Sequence, residues 1–114
     1  MAKLSDLEVG VRLSISNPAS ESKSVFGKGI ADLCLGVRET GSLNAAAKRM
    51  KMAYSKAWRI IKETEGALGI DLLIRDGAHG SVLTPEADKL LDAYIAITDE
   101  LVEEGTKLYK EKTE

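Results

Sequence analysis

Between Leu43 and Lys62 the chain carries six basic side chains, Lys48, Arg49, Lys51, Lys56, Arg59 and Lys62, and no acid. In a chain of formal net charge −2 this is a local concentration of positive charge. Ammonium and guanidinium groups gathered without counter-charges suit phosphate, because each neutralises a backbone anion and releases a condensed counterion. A guanidinium also fits a guanine edge with two parallel hydrogen bonds, which adds discrimination between sequences. Catalytic chemistry finds no comparable constellation. The single His79 and the single Cys34 have no acid, base or metal-ligand partner at a working spacing. Lys28 between Gly27 and Gly29 lacks the spacing and the trailing Lys-Ser/Thr of a phosphate loop. Neither an enzyme nor a metal or other cofactor is expected.

Two helices must present these bases. From Gly41 to Leu68, Leu43, Ala46, Ala47 and Met50 recur at i, i+3, i+4 and i+7, and Ser42 stands where an N-cap is needed. A second helix from about Tyr54 turns Ala57, Ile60, Ile61, Thr64 and Leu68 inward, with Trp58 on the flank. Its opposite face carries Ser55, Lys56, Arg59 and Lys62. A helix pair with a tight turn and a basic second helix is the helix-turn-helix layout, whose second helix enters the major groove. Ser55, Lys56 and Arg59, with Tyr54 beside them, are the base-edge candidates. Lys48, Arg49, Lys51 and Lys62 are the phosphate candidates, and Ser42 and Asn44 complete the set from the first helix of the pair.

The flanking chain supplies a scaffold. Leu7, Val9, Val11, Leu13 and Ile15 alternate with polar or small residues, which predicts a half-buried strand. Asn17 to Ser22 is a loop, and Ile30, Leu33, Cys34 and Val37 form the core stripe of a first helix, where Cys34 serves packing. Leu68-Gly69 is a helix stop. Asp71 to Arg75 and Ser81 to Thr84 read as two short strands around the loop Asp76 to Gly80. Thr84-Pro85 then opens a last helix, with Glu86 and Asp88 in its first turn. Along it Ala87, Leu91, Tyr94, Thr98, Leu101, Gly105 and Leu108 form a heptad stripe, widened by Leu90, Ile95, Ile97 and Val102. A partner helix from a second copy would cover such a stripe, so Ala87, Leu91, Tyr94, Thr98, Leu101 and Leu108 are the expected dimer interface.

At this point a family resemblance is visible. Phe26-Gly27-Lys28-Gly29, Glu39-Thr40-Gly41-Ser42-Leu43, Ala45-Ala46-Ala47-Lys48, Met52-Ala53-Tyr54, Ala57-Trp58-Arg59 and Val82-Leu83-Thr84-Pro85 resemble the N-terminal DNA-binding domain of molybdenum-dependent (ModE-type) transcriptional regulators. More distantly they are similar to LysR-type regulators. The resemblance spans about Val9 to Leu91 and implies a winged helix-turn-helix, with the hairpin as the wing and Arg75 and His79 as its DNA contacts. Two positions depart from the pattern: Lys51 stands where the family usually has Gly in the turn, and Ala53 where it usually has Ser. The wing is also shorter and poorer in glycine than is usual. The molybdate-binding domain of such regulators would follow the last residue here, so molybdate sensing is not expected to carry over.

The expected fold is mainly α with a small β component, a winged helix-turn-helix with a long C-terminal dimerisation helix. Residues 1–83 form the DNA-binding unit (N-terminal strand, three helices, wing), and residues 84–114 the dimerisation helix and tail. Its 114 residues, 44% hydrophobic and 4% aromatic, suffice for one aliphatic core. Overall acidity does not oppose DNA, because charge is segregated: from Glu86 onward nine acids face four bases. No apolar run approaches the roughly 18 residues that span a membrane. The lone cysteine suits a reducing compartment. The expectation is a cytoplasmic, nucleoid-associated, prokaryotic regulator that binds double-stranded DNA as a homodimer, with no membrane and no small-molecule effector as partners. The alternative is a winged-helix module that binds another protein.

Overall fold

Local signals fix the helix ends. A computed structural model of the protein describes residues 1–78 and 80–114. It contains α1 (Lys28–Thr40), α2 (Leu43–Arg49), α3 (Tyr54–Leu68), β1 (Leu73–Asp76), β2 (Gly80–Leu83) and α4 (Pro85–Thr113), after a single 3-10 turn at Leu4–Asp6. The Ser42 hydroxyl accepts from Ala45 N–H at 3.1 Å, and that of Thr84 from Ala87 N–H at 3.0 Å. Gly41 and Gly69 end α1 and α3 in the left-handed conformation, with φ of 73° and 78°. Expected and observed helices agree, while the strands lie one or two residues later, or earlier, than the pattern placed them. β1 and β2 pair antiparallel, Leu73 opposite Leu83 and Asp76 opposite Gly80.

One aliphatic core serves all elements. Ile30, Leu33, Cys34 and Val37 of α1, Leu43 and Ala47 of α2, Ala57 and Ile61 of α3, Leu72 and Leu83 beside and in the wing, and Ala87 and Leu91 of α4 are buried together. Each large side chain so buried contributes about 1.5–3 kcal/mol. Phe26 and Tyr94 meet edge-on, ring centroids 5.5 Å apart, and join the N-terminal segment to α4. α1 and α2 cross closely at Gly36, where a β-carbon would stand 2.6 Å from Ala46 Cβ, so the crossing requires glycine there. Arg38 ties α1 to α4: its guanidinium donates to Asp88 at 2.9 Å and to Asp92 at 2.8 Å. These hydrogen bonds, the one to Asp88 first, raise its already high pKa.

The turn between α2 and α3 is a Schellman motif. Met52 N–H donates to Ala47 C=O at 2.9 Å and Lys51 N–H to Lys48 C=O at 3.0 Å. This geometry puts Lys51 at φ 55°, the only non-glycine residue at positive φ among those described. A β-carbon in that conformation costs roughly 1–2 kcal/mol. Lys51→Gly is therefore expected to raise the urea midpoint by an amount equivalent to about 1 kcal/mol, part of the relief being offset by glycine's unfolded-state entropy. An unchanged or lower midpoint would show that the lysine carries no strain.

Two expectations need correction. The predicted N-terminal strand is absent: Leu7 to Ser14 is extended without a ladder, and only Ile15 and Phe26 form a bridge. The period-two pattern was real, since Val9, Val11, Leu13 and Ile15 are half-buried and the residues between them exposed. The partner of the outer arm is a helix, α4, which offers side chains and no free backbone groups to pair with. The second correction concerns the dimer seam. Ala87, Leu91 and Tyr94 lie in the protein's own core, at 0%, 0% and 7% exposure, and so are not free for a second copy.

Candidate nucleic-acid interface

The outward face of α3 follows from its inward one. Because Ala57, Ile61 and Thr64 are buried, helical spacing turns Ser55, Arg59 and Lys62 to the opposite side, and all three are exposed together with Lys56. No side chain caps the start of α3: Ala53 has none to offer, as its departure from the family pattern implied. Tyr54 opens the helix, exposed, at the edge that faces the wing.

The wing and the helix pair form one concave surface. Ser81 N–H donates to Gly41 C=O at 2.9 Å, which pins β2 to the turn between α1 and α2. At the base of the wing the carboxylate of Glu65, at the end of α3, accepts from Leu72 N–H at 2.7 Å and Leu73 N–H at 3.3 Å. Between these ties lies an open cleft of about 460 Å³ lined by Ser42, Asn44, Tyr54, Trp58, Arg75 and Ser81. Three predicted elements thus converge: the start of α2, the start of α3 and the wing. Asn44, Tyr54 and Arg75 offer an amide, a phenol and a guanidinium to whatever enters. Ser42 contributes differently, since its hydroxyl is committed to the cap of α2. His79 lies outside the described residues.

The six cations are not equivalent. Arg49 is paired with Glu39 at 2.9 Å, and Lys62 with Glu65 at 3.0 Å while standing 4.6 Å from the centre of the Trp58 ring. The stretch Leu43 to Lys62 contains no acid, but acids just outside it fold back onto these two residues. Both side chains stay about half exposed, so a phosphate contact from either would compete with its ion pair. Lys48, Lys51, Lys56, Arg59 and Arg75 form no ion pair among the described residues. Glu65 is a residue that the sequence pattern did not single out, and Trp58, expected on the flank of its helix, also lines the cleft. The Lys62–Glu65 spacing of three was the signal for Glu65.

Cys34 is fully buried, and loss of hydration pushes its thiol up to about 12, so it stays protonated at neutral pH and packs as an apolar group. Among the described residues no cluster of His, Cys, Asp or Glu could hold a metal, and no helix is long and apolar enough to cross a membrane.

Comparison with known proteins supplies the family. No curated protein matches the chain by sequence. Among solved structures, a chain in the crystal structure of the CbnR_DBD-DNA complex superposes with TM-score 0.59 at 26% identity, covering 72% of this chain and 93% of that one. It shares the winged helix-turn-helix architecture described above. The family model of bacterial regulatory helix-turn-helix proteins, lysR family, matches residues 32–88. That span runs from α1 through α2, α3 and the wing into the first turn of α4, and it is half of the chain. The chain belongs to the bacterial regulatory helix-turn-helix proteins of the lysR family.

Proposed function

We propose that this protein is a transcription regulator that binds double-stranded DNA sequence-specifically as a homodimer. The observation that carries the reading is the cationic face of α3, with Lys56 and Arg59 exposed and in no ion pair among the described residues, beside a cleft shared with Arg75 of the wing. α3 enters the major groove, the wing follows the adjacent backbone, and Lys48 and Lys51 neutralise phosphates. Family membership and the likeness to the CbnR_DBD-DNA complex support the same reading. The motifs quoted for the molybdenum-dependent type, Ala45-Ala46-Ala47-Lys48 and Ala57-Trp58-Arg59 above all, are our reason for proposing a likeness to those regulators as well. Nothing in the 114 residues is proposed as an oxyanion site or as an effector site. Selection from random duplexes, followed by anisotropy titration on the enriched site, tests the function. Weak binding that ignores both sequence and salt would favour a protein-binding module instead.

The division at residue 84 is retained as a proposal, with one change. The first ten residues of α4 belong to the DNA-binding core, and the rest pairs with a second copy. Its seam is a different stripe from the one the sequence suggested. Leu90, Ile97, Leu101 and Leu108 recur at steps of 7, 4 and 7, and the last three are 39%, 43% and 42% exposed. Leu101 and Leu108 stay from the expected interface, whereas Thr98 is half-buried on another face. Sedimentation equilibrium at micromolar concentration should give twice 12.3 kDa. Ile97→Asp with Leu101→Asp should give a folded monomer, because two charges placed in an apolar seam are costly. A wild-type monomer at every concentration sinks the dimer.

A further inference from the structure

α4 has 29 residues, a rod of about 43 Å at 1.5 Å per residue. Its contacts with the core end near Tyr94, the last of its buried residues. The remaining turns, about 28 Å of helix, would project unsupported. They do not, because the N-terminal arm runs back along them, antiparallel to α4. Near the tip, the Tyr109 hydroxyl donates to Leu4 C=O at 2.7 Å. Midway, Val9 packs so tightly on Gly105 that a β-carbon there would meet the valine methyl at 3.0 Å. At the root, Ile15 and Phe26 exchange two backbone hydrogen bonds of 2.9 and 2.8 Å, and Phe26 stacks edge-on against Tyr94. Just beyond, Asn17 Nδ2 donates to Leu68 C=O at 3.1 Å, at the C-terminus of α3. The arm therefore touches the end of the recognition helix, the root of α4 and its tip. Residues 1–25 lie wholly outside the span matched by the family.

We propose that residues 1–17 are a brace that fixes the angle between α4 and α3 and thereby sets the spacing of DNA half-sites that the dimer accepts. This rests on the dimer reading above. The lever is long: a tilt of about 10° over roughly 30 Å of helix moves its end about 5 Å, more than the 3.4 Å rise of one base pair. An unbraced α4 would let two recognition helices adapt to several spacings. A braced one holds them to one, and the bare backbone of Gly105 lets the Val9 methyl lie closer than a β-carbon would comfortably allow.

The test compares the full chain with two variants, a deletion of residues 1–12 and the milder pair Val9→Ser with Tyr109→Phe, which leaves the core intact. Duplexes carrying two selected half-sites at spacings changed one base pair at a time are titrated by anisotropy, and the mass of each protein is measured in parallel. The full chain should prefer one spacing at least tenfold over its neighbours. Both variants should remain dimeric, bind a single half-site as before, and lose that preference to within about threefold. Amide exchange without DNA provides a second reading: protection at residues 98–109 should fall at least tenfold in both variants. Dimeric variants with an unchanged spacing profile, or unchanged protection, overturn the brace and leave the dimer standing. A full chain that is monomeric overturns both.

Discussion

Glu65→Ala should lower the unfolding free energy by about 3 kcal/mol, a large share of the 5–15 kcal/mol that holds a domain of this size. The side chain is 7% exposed and its carboxylate is the acceptor for two backbone N–H groups, those of Leu72 and Leu73. Truncation leaves both amides buried without a partner, and each such orphan costs roughly 1–3 kcal/mol. Lys62 loses its ion pair as well, but its ammonium is half exposed and that loss is small beside the first. Glu65→Gln keeps an acceptor oxygen in place and should cost about half as much. Urea denaturation followed by the fluorescence of Trp58, the only tryptophan, measures both. A loss under about 0.5 kcal/mol for the alanine variant would mean that water replaces the carboxylate and that the wing is not hung on α3 in this way.

Much of this architecture is written in short-range signals. Ser42, Gly69 and Thr84-Pro85 mark helix ends through chemistry that acts within three or four residues, and the structure honours each of them. What failed depended on partners distant in sequence. The alternation from Leu7 to Ile15 reports that one side of an extended chain is covered, and says nothing about whether a strand or a helix covers it. Along α4 the apolar residues wrap more than one stripe, so a heptad ending on Leu101 and Leu108 could be drawn up through Ala87 and Leu91 or through Leu90 and Ile97. Only the position of the core separates them. At the candidate interface the bases were legible as a group. Their inequality was not, because Glu39 and Glu65 sit outside the stretch that holds the cations and reach them only through the fold.

That inequality decides how the interface should respond to mutation. Arg59 is exposed on the free face of α3, one turn beyond Ser55, and forms no ion pair among the described residues. A guanidinium so placed can reach a guanine edge with two parallel hydrogen bonds, worth about 1–3 kcal/mol of discrimination. Lys48, exposed in the last turn of α2, is proposed as a phosphate contact and should add roughly 0.9 to the slope of log affinity against log salt. Arg59→Ala is therefore expected to weaken binding to the selected site by about ten- to a hundredfold while barely changing binding to random DNA. Lys48→Ala should weaken both alike and flatten the salt dependence by about one unit. Lys62 is unsuitable for this comparison, since removing it also strips Glu65 of its counter-charge. Anisotropy titrations of each variant on both duplexes, at several salt concentrations, separate the two effects. If Arg59→Ala weakens both duplexes equally, Arg59 touches only the backbone and α3 lies in the groove on a different face. If neither change alters binding, the bases of α2 and α3 are a solvated surface, and the concave side of this protein meets something other than DNA.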